Sequence, residues 1–266
     1  MYDKFNRKIT YLRISVTDRC NLRCTYCMPA EGIKLKTHAD ILSYNEITEF
    51  VRYAVETGVN KVRITGGEPL VRKNIVQLVD QISKIEGIKD FGMTTNGVLL
   101  KQYAADLKKA GLHRINISLD SVNPERFNKI TRLGNLNDVF EGIEAAKKAG
   151  LLPIKINCVI QNSPLEEDAV KVAEYCKKND LKIRYIREMD LEKGRFHKVI
   201  GGTGGECSMC NRLRLTSDGK IRPCLFSELQ YDIRELGIKK ALMLAIGNKP
   251  EEGSTNKELH FNEIGG

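Results

Sequence analysis

Apolar and polar positions alternate in short β-branched runs through the first two-thirds of the chain, and longer stretches with a three-to-four spacing separate them. The runs are RISVT (13–17), KVRIT (61–65), DFGMTT (90–95), RINISL (114–119), IKINCVI (154–160) and KIRYIRE (182–188). A period of two predicts strands, and the intervening period of 3.6 predicts helices. Ser43-Tyr44-Asn45-Glu46 predicts a capping box opening a helix that carries Ile47, Phe50, Val51 and Val55. Ile75, Leu78, Val79, Ile82 and Ile85 make the stripe of the next, and Val139, Ile143 and Ala146 that of another before Gly150. A further helix is read over 165–178. Gly or Asn closes several helices (ETGVNKV, KKAGLHR, KKAGLLP) just before a strand.

Six β-α units in unbroken alternation predict an α/β fold with a parallel sheet and right-handed crossovers. A doubly wound sheet and a barrel both satisfy that order. The unusual polar residues decide for the barrel, because TDRC, TGGE, TTNG and SLD all follow strand C-terminal ends, where (β/α) barrels build their sites. The expectation is an incomplete (β/α)6, three-quarter TIM-type barrel over 1–189. Residues 190–266 read as a separate C-terminal, glycine-rich extension.

At 266 residues, the chain suits one large domain or a domain with an appendage. No apolar run reaches the ~20 residues of a membrane span. The opening MYDKFNRKITYLR lacks the apolar core of a signal peptide, so a cytoplasmic protein is expected. The net charge of +9 points to an anionic partner. The basic residues form no block, aromatics make up 6% and tryptophan is absent, which argues against nucleic acid; a small polyphosphate fits.

Six of the eight cysteines fall in two groups, Cys20-x3-Cys24-x2-Cys27 and Cys207-x2-Cys210-x13-Cys224. Clustered cysteines in a reducing compartment read as metal ligands. Cys158 and Cys176 stand alone and read as small core residues. No histidine completes the first trio locally. A structural zinc site takes four protein ligands, whereas three thiolates on a cubane leave one of four irons open. The second trio, read cold, suggests zinc with His197 or His260 as a fourth ligand.

The first trio, with Tyr26 before its last cysteine, resembles the signature of radical S-adenosylmethionine (SAM) enzymes. The longer RISVTDRCNLRCTYCMP is similar to the MoaA family of GTP 3′,8-cyclases in molybdenum-cofactor biosynthesis. The resemblance implies a 4Fe–4S cluster on Cys20, Cys24 and Cys27 whose open iron binds the amino and carboxylate groups of SAM. One electron then releases a 5′-deoxyadenosyl radical, which takes the ribose C3′ hydrogen of GTP, and the C3′ radical attacks C8 of guanine. Gly66, Gly67 and Glu68 of the TGGEP loop match the family's SAM amino-group loop, and Tyr26, Ser118 and Met189 match further SAM positions. The resemblance also implies a second 4Fe–4S cluster on Cys207, Cys210 and Cys224, its open iron facing guanine and taking part in the closing reduction. Arg13, Lys61, Arg63, Thr94, Lys155, Arg184, Arg212 and Arg214 correspond to GTP ligands, Arg212 and Arg214 also to catalytic positions. Arg63 lies between the apolar Val62 and Ile64, so strand alternation turns it inward. Cations there would be costly unless paired, and a triphosphate supplies the pairing. The C-terminal Gly265-Gly266 matches a pair that, in that family, reaches into the active site and supports the chemistry.

One stretch departs from the pattern. Only 17 residues (190–206) separate Met189 from Cys207, where the family has several tens more. The expected function is a radical SAM lyase, a GTP 3′,8-cyclase. A radical SAM peptide- or protein-modifying enzyme with an auxiliary cluster is the alternative, and a zinc-dependent interaction module a third reading. The expected partners are GTP, an electron-donor protein and, downstream, a cyclic pyranopterin monophosphate synthase. A homodimer is left open, and neither nucleic acid nor membrane is expected.

Overall fold

The first four β-branched runs become strands buried on both faces, the pattern expected when helices cover one side of a parallel sheet and side chains fill the other. The fifth alternates buried and half-buried positions, and the sixth, at the sheet edge, is half-buried. The computed structural model describes residues 1–257. The order is β1 (Tyr11–Ser15), α1 (Tyr44–Glu56), β2 (Lys61–Thr65), α2 (Ile75–Ser83), β3 (Asp90–Thr95), α3 (Leu100–Lys109), β4 (Arg114–Ser118), α4 (Pro124–Thr131), α5 (Leu136–Lys148), β5 (Lys155–Ile160), α6 (Glu167–Lys178) and β6 (Lys182–Arg187). These are the six β-α units of the three-quarter barrel. After them come β7 (Arg212–Leu215), β8 (Lys220–Arg222), β9 (Tyr231–Asp232), α7 (Ile233–Leu236) and α8 (Ile238–Gly247).

One sheet runs β6-β5-β4-β3-β2-β1-β7-β8-β9. Its first seven strands are parallel, and β8 and β9 turn back antiparallel. Thus β7, from the glycine-rich tract, docks on β1 and extends the barrel sheet by one parallel strand. The edges β6 and β9 do not pair among the described residues. Residues 190–206 run along the free edge of β6, where Tyr185 and Ile200 exchange N–H···O bonds at 3.0 Å each way.

The capping box forms: the Ser43 N–H donates to Glu46 Oε2 at 2.7 Å, and the Glu46 N–H to Ser43 Oγ at 3.2 Å. Gly111 and Gly150, at φ +96° and +74°, stand one residue beyond the C-caps Ala110 and Ala149, where the left-handed turn favours glycine. The strands read over 114–119, 154–160 and 182–188 are each one residue shorter, and two further elements have bounds shifted by two residues. The first strand starts at Tyr11 and ends at Ser15, because Val16 and Thr17 peel away toward the TGGE loop. The helix read from 165 begins at Glu167. Glu166 instead uses its carboxylate to cap the preceding turn, accepting from Gln161 and Ser163 N–H groups at 3.1 and 3.0 Å.

The main core packs the helix stripes against the outer sheet face and includes the buried Cys158 and Cys176. A small second core, Leu191, Leu225 and Phe226 with Met189, Phe196 and Cys224 against it, lies beside the second trio. Among the described residues no helix is long and apolar enough to cross a membrane.

Candidate active site

The loop leaving β1 is locked to the loop leaving β2. Val16 N–H donates to Thr65 O at 3.0 Å, Gly67 N–H to Thr17 O at 2.7 Å and Glu68 N–H to Arg19 O at 2.8 Å. The approach is so close that a Cβ on Gly67 would lie 2.3 Å from Arg19 O. Cys20 follows directly. The Cys24 carbonyl then accepts from Cys27 and Met28 N–H at 2.9 and 3.2 Å, closing the turn that carries the other two thiols. Arg132 braces the same turn through the Arg23 and Met28 carbonyls at 2.7 and 3.1 Å. All three thiols are free. Burial pushes Cys20 up to about 11 and Cys27 to about 12, and raises Cys24 further.

Around them sit a buried carboxylate, Glu68, and a half-buried one, Asp120. Glu68 accepts from Thr95 Oγ1 at 2.7 Å, Asn96 N–H at 2.7 Å and Leu70 N–H at 3.0 Å. Burial outweighs those bonds and lifts its pKa to about 7. Asp120, lifted by burial to about 6, accepts from the Tyr26 hydroxyl at 2.6 Å and from Val159 N–H at 2.7 Å, tying the cysteine turn to β5. Asn96 Nδ2 reaches Asn21 Oδ1 at 2.8 Å and Cys20 Sγ at 3.9 Å. A cavity of about 200 Å³ opens among Cys20, Cys24, Cys27, Tyr26, Gly66, Gly67, Glu68, Thr94, Ser118 and Met189.

A raised carboxylate pKa fixes how stability depends on pH. Between the ordinary 4.5 and about 7, the folded chain keeps the Glu68 proton that the unfolded chain has lost. This group's contribution is therefore full below about 4.5 and is lost as pH rises through about 7, on the order of 3 kcal/mol in all. Glu68→Gln should flatten that part of the curve. Urea unfolding of cofactor-free protein should show the variant gaining on wild type between pH 5 and pH 8; a constant difference would refute the assignment.

The second group of polar side chains lies lower in the barrel. Register pairs Tyr11 with Lys61 and Arg212, and Arg13 with Arg63 and Arg214, so two cross-strand rows of cations stack inside. Gly92 stands opposite Arg63 and leaves it room, since a Cβ there would be 3.3 Å from Arg63 Nη2. Arg63, only 2% exposed, donates from Nε to the Tyr11 hydroxyl at 2.9 Å. Lys61 Nζ lies 4.8 Å and the Arg212 guanidinium 5.8 Å from the Tyr11 ring centre. Burial would raise the Tyr11 phenol, but Arg13, Arg63, Lys61 and Arg212 together bring it down to about 7. Burial lowers Arg13 to about 10, Arg214 to about 9 and Lys155 to about 8, with neighbouring cations adding to each; Arg184 moves the same way. Asp90 offsets part of this charge, taking a two-pronged bond from Arg114 at 2.8 and 2.6 Å and pairing with Lys61 at 3.1 Å.

Cys207 and Cys210 immediately precede β7, joined by a Cys210 N–H to Cys207 O bond at 3.1 Å; Cys224 follows β8. Burial raises Cys224. Burial would also raise Cys210, but the ammonium of Lys249, with help from Arg212, lowers it. A cavity of about 140 Å³ is lined by this trio with Arg13, Arg212, Arg214, His197 and Met189. Ile186 and Met189 line both cavities, so the two abut.

The residues singled out in the sequence thus fall into two adjoining chambers and a layer behind them. Lys61, Arg63, Lys155 and Arg184 line neither cavity; they form the cationic layer. Thr94, grouped in sequence with the GTP ligands, opens on the upper cavity, and its buried hydroxyl has no hydrogen-bond partner among the described residues. The cations lie at the first or third position of their strands, and Cys207 and Cys210 precede the N-terminal end of β7. Gly265, Gly266 and His260 lie outside the described residues. Tyr11, Asn96, Asp120 and Lys249 belong to the site but were not singled out. Asn96 and Asp120 had a signal in the TTNG and SLD clusters at strand ends, and Tyr11 in lying two residues before Arg13 on the same strand face; Lys249 had none.

Zinc and an iron–sulfur cubane make different demands on such donor sets. Zinc needs its ligands about 2.0–2.3 Å from one point, whereas a cubane spreads three thiolates over three irons. Among the described residues no three His, Cys, Asp or Glu side chains are gathered to hold a single metal ion. Two spread sets of free, half-buried thiols fit the cubane.

Comparison with known proteins bears on the same residues. The profile of the Radical SAM superfamily matches residues 14–176. A GTP 3′,8-cyclase of Thermodesulfovibrio yellowstonii is 45% identical over 282 residues, spanning 89% of this chain and 88% of its own. One from Alkaliphilus oremlandii is 39% identical over 320 residues, spanning 100% of both. That alignment exceeds this chain's 266 residues by 54 positions (320 less 266), so at least that many face a gap here. Among solved structures, Streptococcus suis SuiB bound to S-adenosylmethionine superposes with a TM-score of 0.66 at 16% identity, over 91% of this chain and 66% of that one. At such identity the likeness speaks for the fold.

Proposed function

Because the chain belongs to the radical SAM superfamily and, within it, to the GTP 3′,8-cyclase family, we propose that it converts GTP to (8S)-3′,8-cyclo-7,8-dihydroguanosine 5′-triphosphate. It is an iron–sulfur enzyme that uses SAM; a lyase acting in the first step of molybdopterin biosynthesis with two clusters is the fuller reading. The observation that carries it is the pairing of two abutting cavities, each with three free thiols, above a cationic layer.

Cys20, Cys24 and Cys27 would hold the first 4Fe–4S cluster, and Cys207, Cys210 and Cys224 the second. Bound in the upper cavity, cluster and SAM supply the radical that takes the ribose C3′ hydrogen. The chain's own residues do the placing. Glu68 meets the SAM ammonium, and gaining that partner offsets the burial that otherwise lifts its pKa. Tyr26, Gly66, Gly67, Ser118 and Met189 complete the seat, and Ile186 and Met189 lie where SAM and substrate meet. Arg13, Lys61, Arg63, Lys155, Arg184, Arg212 and Arg214 hold the triphosphate, with Thr94 toward the ribose. Tyr11 anchors the guanidinium of Arg63 for that task.

On this reading 1–189 is the radical-generating unit and 190–266 the substrate unit, the latter completed by Gly265 and Gly266. The gap against relatives is assigned to 190–206, where Ile200 closes onto β6. An electron-donor protein, a downstream cyclic pyranopterin monophosphate synthase, a homodimer and a cytoplasmic setting are carried by the family alone. A peptide substrate gives no reason for so many converging cations.

Anoxic incubation with SAM, reductant and GTP should yield 5′-deoxyadenosine together with a cyclised nucleotide that mass spectrometry resolves from GTP. SAM cleavage indifferent to GTP, with no new nucleotide formed, would sink the proposal.

A further inference from the structure

We propose that Lys249 is the positioning residue of the second cysteine trio and the fixed positive charge that sets the reduction potential of its cluster, an inference that rests on the reading of Cys207, Cys210 and Cys224 as cluster ligands. Lys249 lies just past α8 and is 1% exposed. Its ammonium donates to Arg212 O at 2.9 Å and to Pro223 O. These carbonyls stand two residues after Cys210 and one before Cys224, so one side chain ties together the two limbs that carry those thiols. The same ammonium stands close enough to the Cys210 sulfur to act on it electrostatically.

The third limb is held by the neighbouring turn. Arg7, buried and paired with Asp3 at 2.7 Å, donates to Cys207 O at 2.8 Å, Glu251 O at 2.7 Å and Pro250 O at 2.6 Å. Thus the turn that carries Lys249 is itself fastened to Cys207. The Asp3–Arg7 pair balances its own charges. Among the described residues Lys249 meets two carbonyls, with a thiol beside them, and no carboxylate; a buried positive charge without an anion is costly. Thiolates on a metal cluster supply that anion. Adding an electron makes the cluster more negative, so a buried cation at its ligands favours the reduced form and raises the potential.

The test uses the full chain with Cys20, Cys24 and Cys27 all changed to Ala, so that iron can enter only the second trio. After anoxic reconstitution, iron analysis and potentiometric titration followed by electron paramagnetic resonance compare this parent with Lys249→Met and Lys249→Arg on the same background. Lys249→Met should lower the midpoint enough to change the reduced-to-oxidised ratio at fixed potential at least tenfold, about 59 mV for one electron, and Lys249→Arg should restore it. Iron lost from the Met variant but kept in the Arg variant would support the positioning role directly. A midpoint unchanged in the Met variant, or iron lost from both variants, overturns the inference. A parent that takes up no iron instead refutes the two-cluster reading, a distinct outcome.

Discussion

Replacing Cys24 with Ala lowers the iron of anoxically reconstituted protein from about eight atoms per chain to about four and stops SAM cleavage, while leaving the fold intact. The fold survives because the Cys24 backbone, not its side chain, closes the turn, through the bonds its carbonyl accepts from Cys27 and Met28. In the cofactor-free chain the thiol is neutral, pushed up by burial, and Ala replaces it as one small apolar group for another. A residue that merely orients a metal ligand is worth roughly 10–100-fold in affinity or activity; removing the ligand itself should exceed that range. Cys210→Ala is the informative companion, since it should lose a similar share of iron yet keep the upper cavity and its SAM chemistry. The measurements are iron and sulfide analysis, thermal unfolding, and 5′-deoxyadenosine formation. SAM cleavage by Cys24→Ala at near the wild-type rate would refute the assignment of the first trio.

Gly67→Ala should be nearly as damaging without touching any sulfur. The new Cβ would lie 2.3 Å from Arg19 O, 2.7 Å from Arg19 C and 2.9 Å from Asp18 O. These are backbone atoms, so no rotamer change relieves the clash and the loop leading to Cys20 must move. Overpacking of this kind costs about 1–3 kcal/mol in stability. The functional loss should be greater, because the same shift breaks the Gly67 N–H bond to Thr17 O and the Glu68 N–H bond to Arg19 O, displacing Cys20 and Glu68 relative to each other. SAM affinity measured by calorimetry on reconstituted protein should fall at least tenfold, equivalent to about 1.4 kcal/mol. Gly247→Ala serves as the control: it meets nothing within 4 Å and sits in the last turn of α8, so it should leave SAM affinity unchanged. Equal effects of the two substitutions would rule out the packing explanation.

Much of this architecture can be read from the chain because it is local. The six units follow from periodicity, and the capping box from four consecutive residues. The first trio and the TGGE loop can be recognised as motifs and stand together as expected. What escaped depends on contacts distant in sequence. Nothing in NKPEE marks Lys249 as buried; it becomes so only because α8 delivers it between Arg212 and Pro223. Asp120 reads as the end of SLD, and its role as a tie between Tyr26 and β5 needs a 94-residue separation to close. The alternation of RLRL in β7 suits a strand, but its docking on β1 is not legible, since a four-residue segment after a glycine-rich tract carries no mark of its partner. That docking in turn sets Arg212 and Arg214 beside Tyr11 and Arg13.

The strand β1 thereby acquires a role that none of its residues performs singly. Its C-terminal end runs into the loop of Cys20, and its N-terminal end lies beside Arg212, two residues after Cys210. From Tyr11 to Ser15 there are four rises of about 3.3 Å, or about 13 Å. β1 is the gauge block between the two trios: its length, with that of the flanking loops, decides how far apart a molecule must be able to reach. One residue more would lengthen the gauge by about 3.3 Å and, because side chains alternate, would turn Arg13 from the interior to the helices. Which molecule fits is set in part by a strand length, and not only by the groups that touch it.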